Sequence, residues 1–402
     1  MKPASPSVLI ISGETSGERY AAQVVESFRE LEPGSPVQFY GSGGEAMRRA
    51  GVELLADVEH LSAIGPWEAV KSLAHYLRLR REALAEVRRR GTRLALLVDF
   101  PDFNLLLARQ LRRMGVTVLY YISPTVWAWR AGRVRTIRRT VRKMLCIFPF
   151  EEPIYRRAGV DVRYVGHPLT ANLPRVDPPA EFRRRFGLAE TDVPLSVLPG
   201  SRRAEIAHIF PTILAALPAI KAAVPGARFL LPAASAGARQ AIEAQLDRYF
   251  AAPRPPLARA DLVLLDGEAT NCLANSRMGI VKSGTSTFEA ALAGTPFVRG
   301  YRINPWMWRL GRWVLATRHF CIVNLIAGRE VVPELMQGRL TAPRLADTFL
   351  NIFSNPDIYN QMKSALQAVR DQFDRRDAAR NVAAELHQAL RETTAAPIED
   401  TP

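Results

Sequence analysis

Short, mostly apolar runs alternate with longer amphipathic stretches along this chain. SVLIIS (7–12), RLALLVDF (93–100), VTVLYYIS (116–123) and KMLCIF (143–148) predict strands buried on both faces, as in a parallel sheet. Helical spacing fills the intervals between them, most clearly at 66–90 and 103–114. The Pro-rich segment PRVDPPAEF (174–182) interrupts this rhythm, which then restarts with PLSVLP (194–199), ARFLLPA (227–233), DLVLL (261–265) and MGIVKS (278–283). Helices are expected around 202–223, 235–249 and 286–294. The pattern predicts an α/β protein of two Rossmann-like domains with parallel sheets. The expected boundaries are 1–173, a linker at 174–192, 193–340, closing helices at 341–392 and a disordered tail at 393–402. Ligands of such folds sit at the carboxyl ends of the strands, and a shared site lies in an interdomain cleft.

Composition narrows the partners. At 402 residues the chain is long for one domain and suits two. Cys146, Cys272 and Cys321 are odd in number and far apart, against a disulfide scaffold or zinc site and in favour of a reducing compartment. The apolar core of MKPASPSVLIISGE is too short for a signal peptide, and no uncharged run reads as a membrane span, so a cytosolic protein is expected. The net charge of +15, from 54 basic and 39 acidic residues, points to a polyanion: nucleic acid, anionic lipid or a phosphorylated substrate. With no nucleic-acid motif present, membrane and phosphate are the favoured readings.

Candidate chemistry follows the strands. SGETSGE, Ser12 to Glu18, encloses Glu14 between two glycines, fitting either a capped helix start or a backbone that yields to a ligand. In VDFPDFN, Asp99 ends an apolar strand, where an acid is costly unless paired or used, and burial would move it toward general-base duty. Asp102 reads instead as the cap of helix 103–114. In LPGSRRAEI, Arg202 and Arg203 open a helix, where cations are disfavoured unless an anion binds. SGTSTFEAALAGTP has two readings. Ser286 and Glu289 match a capping box. Alternatively Gly284, Thr285 and Ser286 offer bare backbone to a phosphate, with Glu289 on a ribose. NLIAGREVVPEL, from Asn324, is expected to be loop and then helix from about Arg329. Trp127 and Trp129 read as packing, and His167 lies near the domain junction.

Residues 64–81, IGPWEAVKSLAHYLRLRR, place Ile64, Trp67, Val70 and Leu73 on an apolar face flanked by basic residues. NPWMWRLGRWV (304–314) repeats the mix with Trp306, Trp308 and Trp313. Core packing and an anionic membrane surface are both open readings. No Asp-x-Asp pair, zinc motif, nucleophile elbow or Walker loop occurs, so no metal or cofactor is expected.

Taken together, GETSGE, VDFPDFN, YYISPTVWAWR, FPFEEPIYRRAGVDVRYVGHPL, LPGSRRAEI, SGTSTFEAALAGTP and NLIAGREVVPEL resemble the lipid-A-disaccharide synthase family over about 7–340. The resemblance implies the GT-B fold and an inverting transfer of 2,3-diacylglucosamine from UDP to 2,3-diacylglucosamine 1-phosphate. The product would be the β-1′,6-linked lipid A disaccharide, made at the inner face of the cytoplasmic membrane. It implies Asp99 as base and Arg202 as neutraliser of departing UDP. Gly284, Thr285 and Ser286 would meet the diphosphate and Glu289 the ribose, with Glu14 and Asn324 positioning sugars. The closing helices would return to the first domain. Oligomeric state stays open. A related GT-B transferase or UDP-GlcNAc epimerase is the near alternative, separated by whether a lipid acceptor is used. A non-catalytic UDP-sugar sensor is the distant one, separated by turnover.

Overall fold

Every expected apolar run forms a strand. The computed structural model describes residues 6–13, 15–57, 66–126, 132–171, 175–302, 319–373 and 376–395, except for the side chains of 15, 66–73, 171 and 394–395. The first sheet contains β1 (Ser7–Ile11), β2 (Gln38–Gly43), β3 (Glu53–Asp57), β4 (Leu94–Val98), β5 (Thr117–Tyr121), β6 (Lys143–Cys146) and β7 (Val162–Tyr164). Their order is β3-β2-β1-β4-β5-β6-β7, and all pairs are parallel. Side chains divide by strand alternation. Leu9, Ile11, Ala95 and Leu97 enter one core, and Val8, Ile10, Leu94, Leu96 and Val98 enter the other.

The second sheet contains β8 (Val193–Leu198), β9 (Ala227–Ala233), β10 (Leu262–Asp266), β11 (Met278–Lys282), β12 (Phe297–Tyr301) and β13 (Glu334–Met336), again all parallel, in the order β10-β9-β8-β11-β12-β13. In each sheet the strand order reverses beside the first strand, between β1 and β4 and between β8 and β11. Such reversals open a crevice at the carboxyl ends of the strands, where ligands of doubly wound sheets bind.

The chain divides into two compact units, Met1–Asn172 with Phe373–Pro402, and Leu173–Gln372. This redraws two expected boundaries. The segment expected as a linker carries the helix Pro179–Arg185, whose Phe182 packs with Leu188, Leu230, Leu265 and Cys272 inside the second unit. Of the closing helices, Ala342–Ser354 and Pro356–Arg370 also belong to the second unit. The first of them buries Leu345, Ala346, Phe349 and Ile352, an apolar stripe whose neighbour is the helix Arg203–Ala223.

Only Ala378–Ala395 joins the first unit. Its Ala379, Val382, Ala383, Leu386 and Ala389 complete the core that contains Val8, Ile10, Leu94 and Leu96. Glu385, almost wholly buried, accepts from Lys143 at 2.8 Å and Arg163 at 2.6 Å, which ties this helix to β6 and β7. Asn381 donates to the Val165 carbonyl at 2.9 Å.

Among the described residues, one helix has the length and apolarity to cross a membrane, Arg203–Ala223. It carries two interior prolines and buries Ile206, Ile209, Phe210, Ile213, Leu214, Leu217 and Ile220 within its own unit, as a core helix does.

Candidate functional site

The carboxyl ends of β1 and β4 meet closely. Gly13 leaves β1, and a Cβ there would fall 2.3 Å from the Phe100 ring, so only glycine fits under that aromatic side chain. Ser12 and Ser42 exchange hydroxyl-to-carbonyl bonds at 3.2 and 2.7 Å, locking the ends of β1 and β2 together. Glu14 lies outside the described residues. Glu18, from the same motif, is buried and accepts from the Ala46 and Met47 amides at 2.7 and 3.2 Å. It thereby satisfies the start of the short helix Glu45–Arg49.

Asp99 and Phe100 follow β4 with φ of 48° and 50°. Two successive non-glycine residues in the left-handed region cost about 1–3 kcal/mol each unless their surroundings hold them. They are held. The Asp99 amide donates to the Tyr121 carbonyl at 2.9 Å. The Asp99 carbonyl accepts from Tyr120 Oη at 2.6 Å and from Asn104 Nδ2 at 2.8 Å. Burial, and after it the negative charge of Asp99, pushes the Tyr120 phenol well above its ordinary pKa, so it stays a donor. The helix after this turn is Pro101–Arg113 with Phe100 as its cap. Asp102 is therefore not the cap expected of it. It lies inside the first turn, largely exposed, and pairs with Arg133.

The loop after β5 is pinned by Glu151, which is buried and accepts from the Ser123 hydroxyl, while Tyr155 Oη donates to the Pro124 carbonyl at 3.2 Å. Trp127 and Trp129 lie outside the described residues. His167 is buried against Phe148 and Phe373 and accepts the Leu169 amide on Nδ1 at 3.1 Å. Burial lowers its pKa to about 3, so it is a neutral structural acceptor at physiological pH.

The second unit repeats the arrangement at β8 and β11. Gly200 turns at φ 133° and leads through Ser201 and Arg202 into the helix Arg203–Ala223. Beside it, Gly284 turns at φ 147° and caps the helix Thr285–Ala293. No side chain caps that helix. The capping-box reading of Ser286 and Glu289 therefore falls. The helix starts before Ser286, so the Ser-x-x-Glu spacing sits inside it, and the Thr287 hydroxyl bonds back to the Gly284 carbonyl at 2.8 Å. Glu289 is half-buried, and burial raises its carboxyl pKa.

Charged residues that sequence reasoning missed lie beneath these turns. Lys282 ends β11, with Nζ 2.8 Å from Glu205 Oε1. Arg202 Nη1 lies 3.9 Å from the same oxygen. Arg299, 1% exposed within β12, donates to Ser283 Oγ at 2.6 Å and pairs with Glu334. Three cations thus face two carboxylates around two glycine turns, leaving a surplus positive charge suited to an anion. The clue in the sequence was an arginine in the middle of an apolar strand, FVRGY, and a lysine at the end of another, MGIVK.

Asn324 is placed differently from expectation. It is fully buried in the helix Ile322–Ala327. Its Nδ2 donates to the Val332 carbonyl and to Glu334 Oε1, both at 2.8 Å. Its Oδ1 accepts the Val331 and Val332 amides at 2.8 and 2.9 Å. All four hydrogen-bonding valences are used, so the side chain is a staple for the loop and not a ligand for a sugar. The order within this motif is also reversed from the expected loop-then-helix. Gly328 at φ 66° ends the helix, and β13 follows.

The backbones of Trp67, Val70 and Leu73 lie in the helix Pro66–Arg90, but their side chains, with Ile64 and residues 303–318, are outside the described set. Among the described residues no group of three or more His, Cys, Asp or Glu is placed to hold a metal ion.

Two parallel sheets, each with a glycine turn at its strand-order reversal, give the chain the GT-B fold. Solved structures agree on the fold. The UDP-GlcNAc 2-epimerase from Neisseria meningitidis, bound to UDP-GlcNAc, superposes with a TM-score of 0.64 at 11% identity, covering 95% of this chain and 100% of that one. The calicheamicin glycosyltransferase CalG4 gives 0.60 at 12% identity, covering 99% and 100%. Sequence then selects the family. The model of the lipid-A-disaccharide synthetase family matches residues 8–389. A lipid-A-disaccharide synthase from Koribacter versatilis is 43% identical over 339 residues, 84% of this chain and 86% of that protein. One from Myxococcus xanthus is 36% identical over 385 residues, 96% and 98% of the two chains. The chain belongs to the lipid-A-disaccharide synthetase family.

Proposed function

We propose that this protein transfers 2,3-diacylglucosamine from UDP to the 6-hydroxyl of 2,3-diacylglucosamine 1-phosphate, with inversion, in lipid A biosynthesis. The observation that carries this reading is the family match over nearly the whole chain. The acceptor oxygen bonds to the anomeric carbon as the bond from that carbon to the UDP oxygen breaks. Asp99 takes the acceptor proton, and its carboxylate is set by a backbone fixed from Tyr120, Tyr121 and Asn104. Arg202, the helix start at Gly284, Thr285 and Ser286, which no side chain caps, and the surplus positive charge beneath it stabilise the departing diphosphate. Glu289 accepts from the ribose hydroxyls, and Glu14 positions a sugar.

The experiment that tests the nucleotide reading is calorimetric titration of UDP into the Glu289→Ala variant, beside a thermal melt. Loss of ribose contacts lowers UDP affinity roughly 10-fold or more, since hydrogen bonds to a charged group contribute about 1.5–3 kcal/mol. With no capping bond to lose, the melting temperature stays near the parent's. Unchanged affinity removes Glu289 from the site. Formation of the disaccharide product, followed by mass spectrometry, tests the reaction itself and separates it from epimerisation, which consumes no acceptor.

The acyl chains place the reaction at a bilayer surface, on the inner face of the cytoplasmic membrane. By spacing, Val70, Leu73 and Leu77 share one side of the helix Pro66–Arg90, and Leu77 is exposed, whereas Leu79, Ala83 and Val87 are core residues. Nearby arginines attract anionic headgroups, each contributing ~1 kcal/mol at a charged leaflet. Replacing Trp67, Val70 and Leu73 with serine is expected to reduce co-sedimentation with anionic liposomes while leaving UDP affinity and circular dichroism unchanged. A variant that misfolds marks this face as core, and a folded variant that still binds liposomes fully excludes it as the contact.

A further inference from the structure

Lys282 occupies the space between the two glycine turns of the second unit. Its Cδ would lie 3.8 Å from a Cβ built on Gly200, and its Nζ 3.8 Å from one built on Gly284. The side chain is mostly buried, and its ammonium rests on Glu205 Oε1 at 2.8 Å, 5.7 Å from the centre of the Tyr301 ring. Glu205 is shared. Arg202 approaches the same oxygen at 3.9 Å, while Oε2 is buried and has no hydrogen-bond partner among the described residues. Oε2 also lies 3.1 Å from where a Gly200 Cβ would stand, so the carboxylate sits directly under that turn. A purely structural ion pair would be expected to satisfy both carboxylate oxygens, because a buried acceptor left unpaired is destabilising.

We infer that Lys282 binds the diphosphate of the nucleotide sugar, and that Glu205 is a stand-in anion holding Lys282 and Arg202 in place until the diphosphate takes them. The inference rests on the nucleotide reading of the 200–205 and 283–289 turns. A diphosphate between the two turns carries more negative charge than one carboxylate and offers several acceptor oxygens, so it competes well for both cations. Burial lowers the Lys282 pKa while Glu205 opposes the shift, as expected for an ammonium removed from water and relying on an anion. Arg299 does not exchange in the same way. It is fixed by Glu334 and by Ser283 at the start of the turn.

The two partners then have opposite signs in one assay. UDP and uridine are titrated calorimetrically into the full-length parent and into Lys282→Met, Glu205→Gln and Arg202→Ala. Lys282→Met is expected to weaken UDP roughly 10-fold or more, the loss of a charge-assisted bond, with uridine unchanged. Glu205→Gln is expected to tighten UDP at least about threefold, because a competing negative charge is removed. If Lys282→Met leaves UDP affinity within about twofold of the parent while Arg202→Ala lowers it, Lys282 is structural and the inference fails alone. If neither Arg202→Ala nor Glu289→Ala changes UDP affinity, the nucleotide reading fails first and takes this one with it. Should Lys282→Met not fold, Glu205→Gln decides: equal or weaker UDP binding overturns the stand-in role.

Discussion

Asp99→Asn is expected to lower turnover by ~10²–10⁴-fold, the usual contribution of a general base. The substitution isolates the carboxylate. Asparagine tolerates the left-handed backbone that this position adopts, so φ near 48° survives the exchange. The bonds from Tyr120 and Asn104 end on the main-chain carbonyl and do not depend on the side chain. UDP affinity, which resides in the second unit under the present reading, should stay at the parent's value. The rate is measured at saturating donor and acceptor, together with a melt. A purified, folded variant that turns over within a few-fold of the parent would assign the proton to another group.

Arg299→Met is expected to cost about 3–5 kcal/mol of stability, the range for stranding one member of a buried ion pair. Glu334 would keep its charge in a buried place, still accepting from Cys321 at 3.0 Å and Asn324 at 2.8 Å, but without its cation. Ser283 would lose the donor that holds the first residue of the glycine turn. Urea denaturation of the full-length protein reads the change, and the double variant Arg299→Met/Glu334→Gln should recover part of it by removing the stranded charge. A single variant less than about 1 kcal/mol below the parent would mean that the amides around Glu334 suffice to neutralise it.

The apolar strands were legible because both their faces are buried, which leaves no polar alternation to confuse them. β1 and β4 are buried at every position. QFYGSG and ELLAD, which form β2 and β3, escaped notice because glycines or acids break up their apolar runs. The glycine turns were legible as bare backbone that a ligand could approach, and the structure adds the positive φ at Gly200 and Gly284. What a motif could not give was register: the Ser286–Glu289 spacing matched a cap, yet helical geometry begins at Thr285 because Gly284 makes the turn. Nor could it give partners. Lys282 with Glu205, and Arg299 with Glu334, are distant in sequence and become meaningful only once β8, β11, β12 and β13 lie side by side. Asn324 was legible as important, but its four bonds, three to the backbone of Val331 and Val332 and one to Glu334 of β13, assign it to architecture.

The closing helix Ala378–Ala395 sets a timetable for synthesis. Its apolar face belongs to a core whose other buried members are spread from Val8 to Val165, within the stretch translated before the second unit. Between the two pieces of the first unit lies the whole second unit, Leu173–Gln372. At about 5–20 residues per second a ribosome needs roughly 10–40 seconds to translate that stretch. Throughout that interval the nascent first unit lacks the strip that Val382, Ala383 and Leu386 will cover, while the second unit can already close on itself. The half of the protein made first is therefore the last to be completed, and chaperones that shield apolar surface have their longest opportunity there.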